Sequence, residues 1–126
     1  MKLLRTDRCA SWITDFYEGR VSHTIYIHNR RECWYKDGNY HKIGGPAVIE
    51  NTGDKIWFQD GMKHREDGPA MIFSDGHFTW WWKGEFLTAV QWATVAIAAQ
   101  HRVASREAVK EFLQTILAKL VQETLI

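Results

Sequence analysis

The chain has little of what announces a stapled, membrane-spanning or polyanion-binding protein. Its 126 residues include two cysteines, Cys9 and Cys33, whose spacing is not that of a metal-binding pair. A disulfide scaffold and a zinc site are therefore not expected, and inert free thiols in a reducing cytoplasm are. No apolar run approaches the ~20 residues of a spanning helix. The nearest, 90–99, is interrupted by Gln91 and Thr94. Met1-Lys2-Leu3-Leu4 runs at once into Arg5, Asp7 and Arg8, which is not the pattern of a signal peptide. An excess of either charge is also missing, with 16 basic residues against 15 acidic. That balance argues against affinity derived from neutralising phosphates, so nucleic acid is not an expected partner, although Arg5, Arg8, Arg20, Arg30 and Arg31 crowd the first quarter. A chain of this length folds as one domain, 1–126, burying roughly 65 % of its unfolded surface.

What the chain does have is an internal repeat. Shifting the sequence by 23 residues superimposes Trp34, Trp57 and Trp80. The same shift pairs Asp37-Gly38 with Asp60-Gly61, His41 with His64, Gly45-Pro46-Ala47 with Gly68-Pro69-Ala70, and Gly53 with Gly76. So many turn and aromatic residues at one offset mark a repeated supersecondary unit. Each copy offers an aromatic strand, a glycine turn, a polar loop around histidine, and Gly-Pro-Ala opening a second strand. Glycine supplies positive φ at such turns, and proline is tolerated at the first residue of a strand. The expected product is an antiparallel β-meander of about seven strands.

The leading segment, 1–31, reads as strands or as a degenerate copy of the repeat. Trp12 to Tyr17 and Val21 to Ile27 are aromatic and β-branched around a turn at Glu18-Gly19, and His28-Asn29-Arg30 turns the chain into the repeats of 32–86. Beyond Gly84 the period changes from 2 to 3.6. Thr88-Ala89-Val90-Gln91 is a capping box for a helix that is apolar nearly all round, and Ser105 caps a second, amphipathic one. The helices of 87–126 form a hairpin that packs on the sheet, or pair with the same element of a second copy. A first helix with so little polar surface needs burial on more than one side, so a homodimer is the expected assembly. The fold class is α+β.

His64-Arg65-Glu66-Asp67-Gly68-Pro69-Ala70 resembles the W-x-x-x-G-x-x-H-R-x-D-G-P-A repeats of many bacteriophage and large-virus proteins, which are similar to MORN repeats. The resemblance covers about 32–86. It departs at Lys42 and Gly44, which stand where the second copy has Arg65 and Asp67, and at the third copy, which stops at Gly84. It implies a virus-encoded protein of the host cytoplasm. By analogy with MORN proteins it implies a docking platform for proteins or membrane lipids.

Strand alternation puts Trp34, Trp57 and Trp80 on one face of the sheet and Tyr35, Phe58 and Trp81 on the other, with Met71 and Phe73 replacing Val48 and Glu50 between copies. One face must be covered by the rest of the chain. The other is the candidate contact surface, with Tyr35, Phe58, Met71, Phe73 and Trp81 as its binding residues. His41 and His64, two strands or about 9.6 Å apart, are too far from each other to share a metal, and are expected to bond local backbone. No nucleophile stands in a diagnostic motif, so neither an active site nor a cofactor is expected. The function read from the sequence is a non-enzymatic protein-binding module, an inhibitor of a host enzyme or defence system. A membrane-surface docking protein and a hydrolase dependent on His64 are the alternatives.

Overall fold

β-Hairpins occupy the chain up to Leu87 and helices follow, in a computed structural model that describes residues 2–5, 10–18, 21–28 and 30–124. The leading strands β1 (Lys2–Arg5), β2 (Ala10–Glu18) and β3 (Val21–His28) pair antiparallel in succession. Cys9, and Gly19 and Asn29 of the expected turns, lie outside the described residues, as do Arg8 and Arg20.

The repeats supply β4 (Arg31–Lys36), β5 (Asn39–Tyr40), β6 (Val48–Ile49), β7 (Lys55–Ile56), β8 (Phe58–Gln59), β9 (Met62–Lys63), β10 (Met71–Ile72), β11 (Phe78–Trp82) and β12 (Glu85–Leu87). A ten-stranded antiparallel sheet runs in the order β1-β2-β3-β4-β6-β7-β10-β11-β12, with β5 on β4 and with β8–β9 as a separate pair. The meander is as expected, but the described residues form twelve strands rather than about seven. The reason is a change of partner within each aromatic strand. β4 pairs with β6 through Glu32 and Cys33, then with β5 through Tyr35 and Lys36. β7 pairs with β6 and β10, and after Trp57 the chain continues as β8 on β9.

The repeated residues form one repeated bonding scheme. The N–H of Trp34 donates to the carbonyl of Ala47 (2.7 Å) and that of Trp57 to Ala70 (2.7 Å), which ties each aromatic strand to its Gly-Pro-Ala. Ala47 and Ala70 are wholly buried at these contacts. At the hairpin tips Asp37-Gly38, Asp60-Gly61 and Lys83-Gly84 all hold positive φ, between 45° and 86°, as a two-residue type I′ turn demands. Successive tips are linked, Gly61 N–H to the Tyr40 carbonyl and Gly84 N–H to the Lys63 carbonyl, both at 2.9 Å.

Helix α1 (Ala89–Ala99) starts at the expected capping box, with Thr88 and Gln91 each accepting from the other's backbone N–H. Helix α2 (Arg106–Thr124) starts at Ser105, whose Oγ accepts from Ala108 N–H. The helices pack on one face of the C-terminal strands. Trp92, Ala93, Ala96 and Ile97 of α1 meet Val109, Ile116 and Leu120 of α2 and Trp80 of β11, with Trp82 and Leu87 at the margin. Trp92 lies 4.6 Å from Trp80 and stacks on Phe112 at 5.6 Å, and each buried aliphatic such as Ile97 contributes about 1.5–3 kcal/mol. Burial of α1 is confined to this stripe, and Val90 and Val95 face solvent. Short side chains at Ala93 and Ala96 let α1 settle closely on that side. No helix among the described residues is long and apolar enough to cross a membrane.

Candidate functional site

Cross-strand partners share a face of a sheet, and so do alternate residues of a strand. Tyr26 opposes Cys33, Cys33 opposes Val48, Val48 opposes Ile56, Ile56 opposes Met71, and Met71 opposes Thr79. Tyr35 and Trp81, two residues from Cys33 and Thr79, therefore share the face that carries Met71. Trp80 and Trp82 point the other way, into the helices. The face carrying Trp81 is thus the one the helices leave free.

Along it runs a line of rings. Tyr26 meets Tyr35 edge-on at 5.2 Å, Tyr35 lies 4.8 Å from its cross-strand partner Tyr40, and Tyr40 lies 4.9 Å from Phe58 of the next copy. Phe58 opposes Lys63, whose ammonium sits 4.4 Å over the Trp81 ring, and Trp81 meets its partner Phe86 at 5.3 Å. The Trp81 indole N–H donates to Thr79 Oγ1 (2.8 Å), which fixes the ring's orientation. Burial, and a hydrogen bond with Tyr40, push the Tyr35 phenol well above its ordinary range, so it stays protonated. Phe86 is 63 % exposed at the end of this line, while Tyr35, Phe58 and Trp81 are half-buried.

The five expected binding residues are only partly gathered. Tyr35, Phe58 and Trp81 belong to the line, and Met71 sits beside it through Thr79. Phe73 is at the opposite end of the sheet from the hairpin tips, where its N–H closes the β10–β11 turn on His77 (2.7 Å). Tyr40, Lys63 and Phe86 are members that reasoning from alternation overlooked. A signal for them exists: across a two-residue turn, residue i faces residue i+5, which couples 35 to 40, 58 to 63 and 81 to 86.

The histidines have a different task from the expected one. Both are buried, and Nδ1 of His41 accepts from Asp60 N–H (3.0 Å) while Nδ1 of His64 accepts from Lys83 N–H (3.1 Å). The bonded backbone is 19 residues away, in the hairpin turn of the next copy, rather than local. Accepting through Nδ1 assigns the proton to Nε2, which on His64 lies 3.5 Å from Glu66 Oε1. His64 also meets the Trp82 ring at 4.5 Å. Nδ1 of His64 is thus taken by the Lys83 amide, and Nε2 faces the Glu66 carboxylate. Among the described residues no three His, Cys, Asp or Glu side chains gather as a metal site.

On the helix-bearing face Arg65 fills the second copy's loop. It is 4 % exposed, its guanidinium lies 4.0 Å over Trp57, and it donates from Nε to Asp67 (2.8 Å) and from Nη1 to the Pro69 carbonyl (3.2 Å). A Cβ on Gly68 would stand 2.8 Å from the guanidinium carbon, so any larger residue there would have to displace the guanidinium. The Trp92 indole docks α1 onto the Arg65 carbonyl (3.0 Å), and Lys119 docks α2 onto the other Asp67 oxygen (2.9 Å). Burial pushes the Asp67 carboxyl up, but its bonds from Arg65 and Lys119 prevail and hold it below the ordinary range. Beside this loop opens a cleft of about 570 Å³, walled by Lys42 to Pro46, by Lys55, Trp57 and Gln59 of one strand face, and by Lys119. No family model, curated protein or solved structure matches this chain.

Proposed function

We propose that the protein is a non-enzymatic binding module that engages a partner protein through the helix-free face of its sheet. The observation that supports this reading is the line of rings that begins at Tyr26 of β3 and continues through equivalent positions of three repeat copies to Phe86. Aromatic residues flanked by a cation, with apolar area that the chain's own helices leave uncovered, are the usual anchors of a protein interface. The backbone bond that takes up Nδ1 of His64 favours binding over hydrolysis. The repeat resemblance extends the reading to a virus-encoded inhibitor of a host enzyme or defence system.

The test is affinity capture from host lysate with the wild-type chain and with Phe86→Ala, Trp81→Ala and Phe58→Ala. Phe86→Ala is expected to abolish capture of the partner without lowering the thermal midpoint, because its ring is mostly exposed. Variants with a lowered midpoint but intact capture would show that these rings are core, and would move the interface elsewhere.

A further inference from the structure

We infer that the cleft beside Trp57 binds an organic phosphate of nucleotide size. It lies on the opposite face from the aromatic line and is independent of it. Its volume, about 570 Å³, falls within the ~300–1,000 Å³ of small-molecule sites. Its walls are of two kinds: Trp57, Ile43, Pro46 and Ile72 are apolar, whereas Lys42, Lys55, Arg65 and Lys119 bring four cations against the carboxylates of Glu66 and Asp67.

The repeat itself explains why this charge is unbalanced. In the second copy the cation over tryptophan, Arg65, has Asp67 as its counter-ion, and Lys119 shares that carboxylate. In the first copy the equivalent cation, Lys42, lies over Trp34 at the same 4.0 Å, but Gly44 stands where the carboxylate would be. Lys55, between the two loops, is exposed. Among the described residues neither Lys42 nor Lys55 has a carboxylate within ion-pair distance. Two ammonium groups on the walls of one cleft therefore lack an anion.

Phosphate suits this pair better than carboxylate does. The planar guanidinium fork that matches a carboxylate is already engaged with Asp67, and ammonium groups act as point charges that can share the several oxygens of a phosphate. The apolar walls give the rest of an organic ligand something to cover. Gly44 leaves the entrance open, since a Cβ there would meet nothing within 4 Å.

The experiment is calorimetric titration of the full chain with ATP, with inorganic pyrophosphate and a hexaglutamate peptide as comparators. One ATP per chain is expected, with pyrophosphate and the peptide each weaker. Lys42→Gln and Lys55→Gln are each expected to weaken ATP binding about tenfold or more. Lys42 also stacks on Trp34, so the decisive variant is Lys55→Gln, whose exposed side chain can be changed without unfolding the chain. The inference is overturned if ATP gives no saturable heat, or if Lys55→Gln binds it as the wild type does. Pyrophosphate or hexaglutamate binding as tightly as ATP overturns it as well.

Discussion

Arg65 is the residue whose loss should cost the fold most per atom removed, and the repeat provides its own control. Truncation by Arg65→Ala deletes the cation–π contact with Trp57, worth about 2 kcal/mol when desolvated. It also leaves the Pro69 carbonyl without its charged donor, a further ~1.5–3 kcal/mol. The pair with Asp67 adds less, about 0–1 kcal/mol, because that carboxylate is 60 % exposed and keeps Lys119. The expected loss is thus about 3.5–6 kcal/mol, a large part of the ~5–15 kcal/mol that holds a domain together. Lys42 occupies the equivalent place over Trp34 without a carboxylate, so Lys42→Ala should lose only the ~0.5–1 kcal/mol of a more accessible cation–π contact. Arg65→Lys keeps the ring contact and forfeits the fork, and should fall between them. Equilibrium urea unfolding followed by tryptophan fluorescence measures all three. If Arg65→Ala and Lys42→Ala agree within about 0.5 kcal/mol, the assignment of Arg65 as the bolt of the second loop is wrong.

The histidine bonds predict that His41→Ala and His64→Ala each orphan a turn N–H in the next copy, costing about 1–3 kcal/mol. Hydrogen exchange at the Asp60 and Lys83 amides should accelerate in the matching variant, and unchanged protection at either would contradict the bond. Cys33 is 2 % exposed, and burial pushes its thiol above the ordinary range. Iodoacetamide should therefore modify Cys33 in the native protein no faster than the chain unfolds, as peptide mapping can follow; labelling within minutes under native conditions would contradict its burial.

Much of this architecture was legible because it rests on local chemistry. Glycine at a fixed offset marked turns of positive φ, Thr88 and Gln91 marked a helix start, and the change of period at Gly84 divided sheet from helices. Alternation alone was enough to separate Trp81 from Trp80 and Trp82. What stayed hidden depends on which copy lies beside which. The partner of His64 is the Lys83 amide, in a turn that sequence reading had assigned only to the next hairpin, and no propensity links a histidine to an N–H 19 residues on. The change of partner along β4 and the strand break at Trp57 were hidden for the same reason, since a strand that changes partner looks continuous in sequence. Phe73 was grouped with Trp81 because alternation reports the face of a sheet and is silent about position along it.

These hidden contacts divide the repeat into two kinds of residue. Histidine and the tip glycines bond one copy to the next, so a change at either disturbs two copies at once, whereas the tryptophan N–H and Gly-Pro-Ala close each copy on itself; the recurrence of both sets follows from packing alone. Positions that differ between copies are released from that constraint. Tyr40, Lys63 and Phe86 occupy one such column and turn a repeated scaffold into a graded aromatic and cationic surface. Gly44 and Asp67 occupy another, and their difference decides whether the neighbouring cation is neutralised within the fold or left to a ligand. A Gly44→Asp variant is informative on this point, because aspartate tolerates the positive φ of 84° better than most residues. A carboxylate there should take up Lys42 as Asp67 takes up Arg65, and lower the affinity of the cleft for ATP while leaving the aromatic face on the other side of the sheet untouched.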